Sequence, residues 1–130
     1  LYPGRFIKAG ELLGKKVTLT IRDVDLEELQ GEDGKPKVKA ILAFAETEKM
    51  HVMCKTNGVC LKEMFGTEIA NWVGKQVTIF PDTWNGEPAI RIWGSPEIEA
   101  DMEVTVTLPR RRPFKKTMHK TERRQARAAA

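Results

Sequence analysis

Hydrophobic residues in this chain recur with a period of two, in short runs broken by turn-forming residues, and only one stretch has helical spacing. That pattern confines the fold to a small, mainly β domain. Along Lys16 to Leu26, Val17, Leu19, Ile21 and Val24 fall on one side and Thr18, Thr20 and Arg22 on the other, as in a half-buried strand. The charged, Gly- and Pro-containing segment from Glu27 to Lys37 is expected to be a hairpin loop. Val38, Ala40, Leu42 and Phe44 then alternate with Lys37, Lys39, Ile41 and Ala43 as a second strand. After a turn at Glu46 to Lys49, Met50 to Cys54 makes a third.

The period changes after Lys55. Thr56 or Asn57 can cap a helix, and Cys60, Leu61, Met64 and Phe65 share one helical face before Gly66 ends it. Ile69, Trp72 and Val73 form a second short apolar turn, with Trp72 read as core. Two further strands are expected at Gln76 to Phe80 and Ala89 to Trp93. The loop between them contains Asn85-Gly86, which supplies the positive φ angles of a tight turn. Glu103 to Leu108 reads as an edge strand, on which a second copy of the chain can pair.

Strand, loop, strand, strand, helix, strand, strand is the element order of an OB-fold, and the chain resembles that family from Leu12 to Pro96. YPGRFIKAGELLGKKVTLTI, NWVGKQVTIFP and PAIRIWGSP are also similar to segments of small OB-fold, single-stranded DNA-binding-like proteins encoded near replication genes in phages and prophages. The resemblance implies a five-stranded barrel over residues 1–109, with a helix between strands three and four. It also implies binding rather than turnover. An SH3-like barrel with an inserted helix, or another small α+β sheet, has the same element order and stays open.

The charge is divided. From Arg110 to Arg127 the chain holds nine of its 22 Lys and Arg against one acid, Glu122, whereas residues 1–109 carry 13 basic and 17 acidic side chains. Residues 110–130 therefore read as a basic tail, disordered or helical, of a composition suited to phosphates. Arg110, Arg111, Arg112, Lys115 and Lys116 are its candidate contacts. A solvated end of no specific role is the rival reading. The acidic loops, with Glu27, Glu28, Glu32, Asp33, Glu46 and Glu48, are placed to hold such a tail when no DNA is bound.

A single-strand groove needs cations for phosphates and broad surfaces for bases. By parity, Arg22, Lys37, Lys39, His51, Arg91 and Trp93 lie opposite the core side of their strands, and Trp84 sits in the loop between strands four and five. Together they form the candidate binding face. Solvated strand faces for the lysines and Arg22, a barrel-bottom role for Trp93 and a packing role for Trp84 compete with it.

No catalytic residues, cofactor or metal site are expected. The chain has no phosphate loop and no assignable nucleophile set. Cys54 and Cys60 have only His51 near them in sequence, so both read as plain thiols. No apolar run spans a membrane and no signal peptide is evident, so a cytoplasmic location in a bacterial cell or phage-infected host is expected. The expected function is single-stranded DNA binding without sequence preference, in phage or prophage replication or recombination, with a replication or recombination protein as a further partner. The alternative is a protein-interaction or assembly module whose tail binds nucleic acid. Duplex binding through the tail alone is the third reading.

Overall fold

The computed structural model describes residues 5–30 and 34–124. The element order is β1 (Val17–Gln30), β2 (Pro36–Phe44), β3 (His51–Val52), α1 (Lys55–Phe65), β4 (Gln76–Trp84), β5 (Glu87–Ser95), β6 (Met102–Val106) and β7 (Phe114–Lys120). Short 3-10 turns at Ala9–Leu12 and Ile69–Trp72 precede β1 and β4. The strands form one sheet in the order β3-β2-β1-β4-β5-β7-β6.

The mainly β character and the helix after the third strand match the expectation. The five-stranded barrel does not. The sheet has seven strands among the described residues, and its two end strands, β3 and β6, are not paired with each other. Two features keep it open: β3 is only two residues long, and the outer edge of β5 is occupied by β7. No helix among the described residues is long and apolar enough to cross a membrane.

β1 serves two partners. Its first part, Val17 to Thr20, pairs with β4, and from Ile21 to Gln30 it pairs with β2, with a register irregularity between Ile21 and Asp23. Such an irregularity bends and twists a strand, here where β1 passes from one partner to the other. The β1–β2 ribbon then extends the expected strands: pairing continues to Gln30 and resumes at Pro36, so most of the segment expected as a loop is strand. In the same way β4 runs through Trp84 and β5 begins at Glu87, which shrinks that connection to Asn85-Gly86. Both residues have positive φ, 52° and 81°, as the dipeptide implied.

One apolar cluster binds the sheet to α1. Leu19, Ile21, Leu42, Phe44, Leu61, Val77, Ile79, Ile92, Val104, Val106 and Met118 are buried in it. Trp72 is buried there too, and its indole N–H donates to Gly66 O at 2.9 Å, satisfying the one polar atom that burial would strand. At about 25 cal/mol per Å² of apolar surface removed from water, each such side chain contributes about 1.5–3 kcal/mol.

The basic segment is not a disordered or helical tail over its described length. Phe114–Lys120 is strand β7, antiparallel to β6 from Met102↔Met118 to Val106↔Phe114 and parallel to β5 at Gly94↔His119. The reason is an alternation hidden by charge. Phe114, Lys116 and Met118 share the inward side, with Phe114 and Lys116 half-buried and Met118 fully buried. Beyond β7, Arg123 pairs with Glu97 at 2.5 Å and Arg124 lies 3.9 Å from Glu46. Gln76 exchanges two hydrogen bonds with the Arg124 backbone, at 2.8 and 2.7 Å. Of the acidic loop residues, Glu46 thus lies near the basic segment. Glu32, Asp33 and residues 125–130, with Arg127, lie outside the described residues.

Candidate nucleic-acid interface

Two residues separate β3 from α1, which the chain enters at Lys55, so the helix begins earlier than the expected caps at Thr56 or Asn57. Cys54 is the N-cap and supplies no side-chain cap. Thr56 and Asn57 instead lie in the first turn and are buried, because Asn57 is used for tertiary bonding. Its amide nitrogen donates to Ile90 O at 2.9 Å and lies 3.0 Å from His51 Nε2. These contacts fasten the start of α1 to β5 and β3.

Two clefts meet at that helix start. The larger, about 470 Å³, runs between β2 and α1 and is lined by Lys37, Val38, Lys39, Ala40, Met53, Cys54, Lys55, Gly58, Val59, Lys62 and Thr107. The smaller, about 290 Å³, shares Cys54 and Lys55 with it and adds Thr56, Trp84, Arg91, Leu108, Pro109 and Arg111. Among the described residues, the lining of both clefts includes six cations and no Asp or Glu. Segregation of this kind raises the local concentration of anions whatever the net charge of the domain.

Of the expected residues, Lys37, Lys39, Trp84, Arg91 and Arg111 come together here. Trp84 organises the cations: the guanidinium carbons of Arg111 and Arg91 lie 4.7 and 5.2 Å from its ring centroid, and the Phe114 ring packs at 5.9 Å. Arg111 also donates to Asn85 Oδ1 at 3.3 Å. Arg91 is only 7% exposed and donates to Cys54 Sγ and Ile90 O, both at 3.3 Å.

Other expected residues are placed elsewhere. His51 is not on the binding face: it pairs with Leu42, shares that residue's core-facing side and is buried. Burial, reinforced by the neighbouring Arg91 charge, pushes its pKa down to about 4. It is therefore neutral at neutral pH, and its Nε2 accepts from Asn57 while the ring proton sits on Nδ1. Trp93 stacks on His119 at 4.1 Å, meets Phe80 edge-on at 5.2 Å and carries the Lys16 ammonium at 4.2 Å. Its ring is already partnered. Arg22 lines a separate shallow cleft with Glu46 and Glu48.

Within the basic segment, Arg110 occupies a turn with φ 61°, Arg112 is exposed and Lys115 pairs with Glu103 at 3.2 Å. Lys116 is half-buried close enough to α1 to influence the Cys60 thiol, whose pKa burial nonetheless pushes up to about 11. Lys55 and Lys62 are groove residues that the sequence reading missed. Their seven-residue spacing, two helical turns, places both on one side of α1, a signal that emerges only once the helix is seen to begin at Lys55.

No family model, curated protein or solved structure matches this chain. The functional reading therefore rests on the geometry.

Proposed function

We propose that the chain binds single-stranded DNA without sequence preference, laying the strand along the joined clefts between β2, α1 and the β4–β5 turn. The observation that supports this most is the lining of Lys37, Lys39, Lys55, Lys62, Arg91 and Arg111, with no acid among the described lining residues. Lys39 is half-buried and Arg91 buried, so part of the charge is recessed. A flexible strand can thread phosphates into a concave site of this kind, whereas a rigid duplex meets mainly protruding cations. With Trp84 and Trp93 already carrying cations, affinity comes chiefly from phosphate contacts, and base identity matters little.

Fluorescence anisotropy of a labelled oligo-dT of roughly 30 nucleotides, titrated at two salt concentrations, tests the proposal. Binding should weaken steeply with salt, by roughly 0.7 in log–log slope per phosphate engaged. Absence of binding at low salt sinks the reading.

A second reading has its own observation. On the projecting β1–β2 ribbon, Leu26 and Val38 are 61% and 68% exposed, and their cross-strand pairings place them on one face. Exposed apolar side chains on a ribbon suit a protein contact. Such a complex should keep its affinity as salt rises.

A further inference from the structure

A guanidinium remains protonated at any ordinary pH, and burying it without a counter-ion is costly. Arg91 is in that position. It is 7% exposed, its hydrogen-bond acceptors are a thiol sulfur and a backbone carbonyl, and no carboxylate among the described residues pairs with it. Elsewhere the fold gives several surface cations a carboxylate partner, as in Arg5–Glu27, Lys115–Glu103 and Arg123–Glu97. Around Arg91 it does the opposite. Arg111 and Lys55 line the same cleft, no acid among the described residues does, and the adjacent His51 is held neutral.

The backbone adds donors. The first ladder bond of α1 runs from Gly58 N–H to Cys54 O, which leaves the amides of Lys55, Thr56 and Asn57 without acceptors inside the helix. Cys54 provides no side-chain cap in their place. Three cationic residues and the first residues of a helix thus line a cleft of about 290 Å³ whose buried guanidinium has no carboxylate partner among the described residues. Phosphate is the ligand class that suits them, because its oxygens accept from guanidinium forks and from helix-terminal amides together.

We propose that this cleft is a phosphoryl-binding site in which Arg91, Arg111 and Lys55 hold one phosphate group against the first turn of α1, with Trp84 positioning the two arginines. The proposal deepens the nucleic-acid reading, on which it rests for the source of the phosphate, by naming a single site-specific contact within a groove otherwise governed by diffuse charge. Three positive charges favour a terminal phosphomonoester, a dianion, over an interior diester carrying one charge.

The test uses the full chain and reads phosphate separately from DNA. Thermal midpoints are measured in inorganic phosphate, acetate and chloride at matched ionic strength, for the wild type, Arg91→Met and Arg111→Gln. Phosphate stabilises many proteins without binding a site, so the informative quantity is the increment that the substitutions remove. The wild type should gain midpoint in phosphate over both other anions, and each variant should lose that gain. Arg111→Gln alters an exposed side chain, so the comparison survives a folding defect in Arg91→Met. An increment that both folded variants retain, or an equal one in acetate, overturns the proposal.

A second arm compares short oligo-dT with a 5′-phosphate and with a 5′-hydroxyl. About tenfold tighter binding of the phosphorylated form, lost in Arg111→Gln, is expected for a strand end. Equal binding with the midpoint effect intact supports the site and moves its source to an interior phosphate. A midpoint effect without any oligo-dT binding supports the phosphate site and removes the single-strand reading.

Discussion

Gly94 faces the backbone of His119 so closely that a β-carbon built on it would lie 1.8 Å from the His119 carbonyl oxygen and 2.6 Å from its amide nitrogen. Real atoms do not approach at these distances, and the obstacle is main chain rather than a movable side chain. The parallel pairing of β5 with β7 at Gly94↔His119 therefore depends on the missing side chain. Gly94→Ala should displace β7 and lower stability by about 3 kcal/mol or more. Urea unfolding measures this, and an unchanged midpoint would show that the strands do not meet as described.

Removing the basic segment should do more than remove charge. Met118 is fully buried in the apolar cluster, and among the described residues β6 reaches the rest of the sheet only through β7. A chain ending at Pro109 is expected to lose cooperative unfolding and to expose apolar surface. Calorimetry and dye binding would show it, and a sharp, wild-type-like transition would contradict it.

Acid should weaken the fold before its carboxylates are protonated. His51 has its pKa lowered to about 4 by burial and then by the Arg91 charge, against about 6.5 when unfolded, so the unfolded chain takes up the proton first. The stabilisation is complete above about pH 6.5 and is lost as pH falls through about 4, an effect of about 3 kcal/mol. Glu97, whose pKa is lowered by hydrogen bonds and charge from Arg123 and by a bond from the Gln76 amide despite opposing burial, acts only below the ordinary Glu value of 4.5. The interval between about pH 6.5 and 4.5 therefore belongs to His51. His51→Gln should flatten the dependence of the denaturant midpoint on pH there; a slope that persists assigns it to another group.

Charge reversal should separate the groove from the rest of the surface. Lys37→Glu and Lys62→Glu, on opposite walls of the larger cleft, should each weaken oligo-dT binding and reduce the single-strand salt slope by about 0.7. Arg22→Glu, in the cleft with Glu46 and Glu48, should leave both nearly unchanged. Anisotropy titrations over a salt series give the comparison. Equal losses from all three would mean that binding follows net charge alone.

Much of the sheet was legible because alternation in VTLTI, VKAILAF, QVTIF and AIRIW reports directly on which side of a strand meets the core. The turn at Asn85-Gly86 was legible because its chemistry is local. Strand length was not, since the outer β1–β2 ribbon is polar on much of its surface and is held by pairing rather than burial. Nor was β7: Phe114, Lys116 and Met118 alternate correctly, but charge density dominates the reading of FKKTMHK until a neighbouring strand is known. Of the residues lining the candidate groove, Lys37, Lys39 and Arg111 were singled out by charge or parity; Arg91 was too, but it is buried rather than on the open face that parity gave it. His51 was misplaced because β2 is buried on both faces near Leu42, so alternation there does not separate inside from outside.

The strand order also sets a timetable. β6 precedes β7 in the chain, yet β7 lies between β5 and β6 in the sheet. During synthesis, β6 leaves the ribosome with nothing to pair with, and the edge of β5 stays uncovered until Phe114–Lys120 follows. Completion of the sheet is thus tied to one of the last described segments to be translated. A chain cut short before it displays an open strand edge, the feature by which cellular proteases and chaperones distinguish an unfinished product from a finished one.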